Sequence, residues 1–101
     1  MLEYDRSYTL TSSGATAWED AYQASNHTFV IETAAGSTAT VRPETRGYNS
    51  SIGILLSTAV ITLDASSAVA VSIVGTLYQV RCRVTAMTST GTVRVQMFGN
   101  T

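Results

Sequence analysis

One histidine and one cysteine limit the nucleophilic and metal chemistry this chain can carry. A Ser-His or Cys-His pair needs a base that a third group orients. His27 instead enters a β-like stretch between Asn26 and Thr28, the setting of a surface or capping residue. Cys82 falls on the apolar side of an alternating run, where a thiol serves as a small buried hydrophobe. The carboxylates offer no better pair. Glu19 and Asp20 are adjacent, so on a strand they point to opposite faces. Glu44 with Asp64 would need a tertiary contact that no motif specifies, and neither pair is set in the aromatic cleft that glycoside hydrolysis uses. A metal site lacks ligands in sufficient number. A phosphate-binding P-loop is excluded because the chain has no lysine: every basic side chain is an arginine. The expectation is a non-enzyme with no catalytic residue, no metal and no cofactor. Asn26-His-Thr28 and Asn49-Ser-Ser51 fit the glycosylation pattern, a cheap match in a chain this rich in Ser and Thr.

Two groups point to binding instead. Arg81, Arg83 and Arg94 fall on the polar side of the two arms of 77–98, where cross-strand neighbours would bring long side chains together. As forked donors they suit carboxylates on a partner and are the candidate protein interface, together with the first strand, whose acidic Glu3 and Asp5 are placed to lie against a neighbour; the other reading of the arginines is a solvated sheet face. Arg46, Tyr48 and Asn49 lie on the most loop-like stretch, 44–51, and form the candidate contact for a sugar-binding reading.

The elements that must hold these groups read as strands. From 77 to 98, Tyr78, Val80, Cys82 and Val84 alternate with polar residues, as do Val93, Val95 and Met97 beyond Gly91, so the stretch reads as a hairpin with one apolar face. Upstream, 2–10 alternates, with Leu2, Tyr4, Arg6, Tyr8 and Leu10 on one side and Glu3, Asp5, Ser7 and Thr9 on the other. Residues 16–19 match a capping box, and Trp18 and Tyr22 are spaced for one helical face, although alternation there also permits a strand. Phe29 and Ile31 mark the next strand. Ala34 to Ser37 reads as a hairpin turn into 37–42, which Pro43 ends. The run 52–63 holds one buried strand or two short ones, Asp64 to Ser67 a turn, and 68–74 another strand. Seven or eight short strands with turns every eight to twelve residues predict an all-β fold, an antiparallel β-sandwich of jelly-roll-like kind, with at most one short helix near 17–23.

Composition agrees. At 101 residues the chain is expected to form a single β-sandwich domain over 1–101. Charged residues make up 13%, about half the usual share, and serine and threonine supply the polarity. A net charge of −1 creates no field to draw in nucleic acid or an anionic membrane. The amino-terminal stretch has neither a basic segment nor a long apolar run, and no window is apolar enough for a membrane helix, so the expected site of synthesis and assembly is a cytoplasm. Low surface charge and exposed strand edges favour a homo-oligomer, with a trimer expected.

The closing quarter of the chain, Val74-Gly75, then YQVRCRVTA from Tyr78 to Ala86 and TSTGTVRV from Thr88 to Val95, resembles a recurrent small β-sandwich domain of tailed-bacteriophage virion proteins. Where related sequences carry an S-N-D-G-x-x-W hairpin, this chain has Ala34 to Thr38, with its Trp upstream at position 18. The resemblance implies a capsid decoration (cement) protein that binds the outer surface of the head. The alternative it implies is a carbohydrate-binding adhesion module of a head fibre or tail. The implied partner is the major capsid protein or another virion protein, and the implied location is the virion.

Overall fold

The computed structural model describes residues 2–34, 37–47, 54–55, 61–63, 68–88 and 91–101. In chain order these form β1 (Leu2–Leu10), β2 (Gly14–Ala15), β3 (Glu19–Asp20), β4 (Asn26–Thr33), β5 (Ala39–Arg46), β6 (Ile54–Leu55), β7 (Ile61–Leu63), β8 (Ala68–Val74), β9 (Gln79–Met87) and β10 (Val93–Asn100). Sheet A runs β1-β10-β4-β8 and sheet B runs β2-β9-β5-β6, with β3 also on β9 and β7 also on β5. Every pairing is antiparallel. The fold is the antiparallel β-sandwich expected from the strand spacing. Among the described residues there is no helix. Residues 16–20 instead follow β9: Thr16 N–H donates to the Cys82 carbonyl at 2.9 Å, and Cys82 N–H donates to Thr16 Oγ1 at 3.2 Å.

The expected hairpins are not hairpins. β9 belongs to sheet B and β10 to sheet A, so the turn after β9 carries the chain across the sandwich. β4 and β5 are divided in the same way. The two arches stack side by side, β4 pairing with β10 in one sheet and β5 with β9 in the other. Threonine and serine tie them together. Thr38 N–H donates to Thr88 Oγ1 at 2.8 Å, Thr88 N–H returns to the Thr38 carbonyl at 3.0 Å, and Thr92 N–H donates to Ser37 Oγ at 3.2 Å. Gly91 closes against Ser37, whose Oγ would stand 2.7 Å from any Cβ placed there.

Between the sheets lie Phe29, Ile31, Val41, Val80, Cys82, Val84, Val93, Val95 and Met97, all essentially inaccessible. Tyr4, Tyr8, Leu10, Val69 and Ile73 pack on this core from the outer strands of sheet A. Two bulges reset the alternation. On β9, Val84 faces Val41 and Ala86 faces Thr40, so Thr85 is an extra residue; Met87 then turns inward and Ala86 outward. On β1, Leu2 faces Asn100 and Tyr4 faces Gly99, which leaves Leu2 exposed. Tyr78, expected in the core, stands outside it at 54% exposure, because it precedes the first paired residue of β9. Pro43 does not end its strand: it is buried within β5 opposite Cys82, at the break between the β7 and β6 ladders.

Candidate functional site

The outer face of sheet B gathers most of the arginines. On β5 the outward side chains are Arg42, Glu44 and Arg46; on β9 they are Gln79, Arg81 and Arg83. The register sets Arg42 opposite Arg83, Glu44 opposite Arg81, and Arg46 opposite Gln79. Glu44 is the centre. It is 5% exposed, and Arg81 Nε donates to its Oε1 at 2.7 Å. Arg83 Nε lies 3.7 Å from the same oxygen and Arg42 Nη2 lies 3.8 Å from Oε2. One carboxylate therefore faces three guanidiniums and hydrogen-bonds one of them. At the other end of the grid, Arg46 Nε donates to Gln79 Oε1 at 2.7 Å, and Gln79 Nε2 donates to Asp20 Oδ1 at 2.9 Å.

Trp18 completes the face. The strand-like path of 16–20 along β9 brings its indole over the grid, with the guanidinium carbons of Arg81 and Arg46 at 4.3 and 4.6 Å from the ring centroid. Both are within cation–π range, so the indole and the Glu44 carboxylate hold Arg81 in one place from two directions.

The sequence-derived trio Arg81, Arg83 and Arg94 is not brought together. Arg81 and Arg83 are on sheet B, whereas Arg94 lies on the outside of sheet A, 70% exposed and 3.6 Å from Glu32. Their grouping assumed that β9 and β10 pair, and the arch separates them. Glu3 and Asp5 are on β1 in sheet A. Asp5 accepts from Gln96 Nε2 at 3.0 Å, and Glu3 borders a cleft of about 130 Å³ with Tyr4, Asp20 and Tyr22. Of the proposed loop contact, Arg46 is turned onto Trp18 and Gln79, while Tyr48 and Asn49 lie outside the described residues. Reasoning from sequence missed Arg42, Glu44 and Trp18. A signal was present: R-x-E-x-R on β5 and Q-x-R-x-R on β9 each put three polar side chains on one face.

The two residues with catalytic potential are occupied elsewhere. Cys82 is enclosed in the core, and burial, followed by the Glu44 charge, pushes its thiol up to about 12, so it stays protonated. His27 is buried, not at the surface. Its Nε2 lies 2.9 Å from the Gly75 carbonyl, which only accepts, so Nε2 carries the proton and Nδ1 accepts from the Tyr4 hydroxyl at 2.8 Å. Gly99, between Tyr4 and His27 in the register, makes this contact possible: a Cβ there would intrude on the Tyr4 ring. The edges of the sandwich are joined in a similar way. Glu19 of β3 accepts from the Tyr8 hydroxyl and stands 3.4 Å from Arg6 Nε, and burial, ahead of the bond to Glu19, raises the Tyr8 phenol to about 12.

Burial lowers the His27 pKa below its usual 6.5, and the bond to Gly75 offsets this only in part. The unfolded chain therefore binds a proton at this residue before the folded one does. Its contribution is complete above about pH 6.5 and is lost as pH falls below that value toward the folded pKa. The melting temperature is expected to drop between pH 7 and pH 5, ahead of most carboxylate titration. His27→Gln should start less stable and show a flatter dependence over that interval. An unchanged slope in thermal melts of the variant would assign the acid sensitivity to other groups.

No protein-family model, no curated protein and no solved structure matches the chain.

Proposed function

We propose that this protein is a structural component of a tailed-phage virion, of the kind that decorates and stabilises the outer surface of the head, and that it docks on its protein partner through the outer face of sheet B. The observation that carries the docking is the composition of that face: a tryptophan and four arginines, held in place by Glu44, Gln79 and Asp20. Trp and Arg are the residues most enriched where a few side chains carry most of an interface's energy. Here they are ordered before a partner arrives, which lowers the entropic cost of association. The virion setting comes from the resemblance of the closing quarter to small β-sandwich domains of phage particles. Binding without catalysis fits a thiol sealed in the core and a histidine with both ring nitrogens engaged.

Co-sedimentation with empty heads of the phage that carries the gene tests the reading. The native chain is expected to pellet with the heads. Trp18→Ala, checked for a native far-UV spectrum, should weaken binding by at least tenfold, on the scale of a central interface residue. Failure of the native chain to bind, together with saturable signals on a glycan array, would replace decoration by the carbohydrate-binding reading. Full binding by Trp18→Ala would move the docking surface away from sheet B.

A further inference from the structure

With sheet B's outer face as the docking surface proposed above, we infer that Arg42 and Arg83 receive a carboxylate presented by an acidic patch on the partner protein. These two side chains are directly opposite each other in the β5–β9 register, and like charges so placed are destabilising. Glu44 does not satisfy either one. Its Oε1 is taken by Arg81 at 2.7 Å, and the approaches of Arg83 and Arg42, at 3.7 and 3.8 Å, are too long for hydrogen bonds. Arg42 Nε is buried with no hydrogen-bond partner among the described residues, so that one N–H is left uncompensated while the side chain as a whole remains 36% exposed. Arg83, nearly half exposed, borders an open cleft of about 510 Å³ with Ser13, Gly14 and Ala15.

The charge balance selects the ligand. Among the described residues three arginines, Arg42, Arg81 and Arg83, share the single carboxylate of Glu44, a surplus of two positive charges. Two adjacent forks match a planar carboxylate in bidentate fashion. A nucleic-acid backbone is a poorer fit: it calls for a long basic track, and the chain as a whole carries a net charge of −1. A single carboxylate from a protein surface neutralises half of the surplus, and Trp18, stacked on Arg81 and Arg46, supplies apolar surface on the same face.

The test is an NMR titration of the ¹⁵N-labelled protein with acetyl-Glu-Glu-amide, following the arginine Nε–Hε signals. Saturable shifts are expected at Arg42 and Arg83 and not at Arg94. Arg42→Gln/Arg83→Gln should weaken peptide binding at least tenfold without lowering the melting temperature, since a like-charge contact is removed. Should the double variant fail to fold, Arg83→Gln alone is expected to show the same direction of change. Absence of shifts, or equal shifts at Arg94, would overturn the site. So would tighter binding of a thymine oligonucleotide at the same two forks, which would make the face a phosphate receptor. The titration contains no virion component, so peptide binding can succeed where capsid binding fails. Conversely, capsid binding that depends on Trp18 but survives the double variant would remove the carboxylate site and leave the docking face.

Discussion

Val84→Asp is expected to abolish folding. Val84 is 1% exposed, on β9 opposite Val41, and belongs to the cluster of valines, Ile31 and Phe29 that fills the space between the sheets. An aspartate there finds no cation: the arginines of β9 are on the opposite face of the strand. Burying that carboxyl unpaired costs several kcal/mol, and the loss of the valine's packing adds ~1–2 kcal/mol. The sum is comparable with the whole stability of a domain of this size, about 5–15 kcal/mol. Far-UV circular dichroism and amide dispersion check the result, and Tyr78→Asp is the contrast. Tyr78 is more than half exposed, so the same charge six residues earlier should leave the protein folded. A cooperative, native-like melt for Val84→Asp would mean that the inside and outside of β9 are exchanged.

Removing the Glu44 carboxylate ranks next. Glu44→Ala strips the hydrogen-bonded partner from Arg81, whose side chain is only 18% exposed, and leaves Arg42 and Arg83 facing each other with no anion between them. Breaking one side of a largely buried pair costs ~3–5 kcal/mol; partial exposure of Arg42 and Arg83 screens the remainder, so about 3 kcal/mol is expected. For a chain of this length that corresponds to a fall in melting temperature on the order of 15 °C. Glu44→Gln should recover part of the loss by accepting from Arg81. Glu44→Gln/Arg81→Met should recover more, because it removes the stranded charge as well. A loss below about 1 kcal/mol for Glu44→Ala would place the carboxylate among ordinary surface ion pairs.

The division between what the chain declares and what it conceals follows from the reach of each signal. Period-two alternation is a property of one strand, and it assigned Val80, Cys82 and Val84, and Val93 and Val95 to the interior, and set Phe29 and Ile31 on one shared face, before any partner was known. With β-branched residues on both sides of turns, that is enough for a two-layer antiparallel sandwich. Pairing is different. Two alternating strands joined by a short Gly-containing turn bury the same apolar residues whether they lie edge to edge as a hairpin or face to face as an arch, so 77–98 and 27–42 read as hairpins while the chain crosses the sandwich at both turns. That ambiguity placed Arg94 with Arg81 and Arg83, from which a whole core separates it. Bulges escape the pattern for a related reason: the extra residue at Thr85 alters alternation only relative to β5, and its effect on Ala86 and Met87 is fixed by the partner strand. The Trp18–Arg81–Glu44–Arg42 cluster depends on the same information. Trp18 comes from a stretch whose local spacing suited a helical turn, and Glu44 meets Arg81 only because β5 and β9, 37 residues apart at that contact, share a register. Local chemistry determined which side chains turn outward; the long-range pairing of strands decided which of them meet.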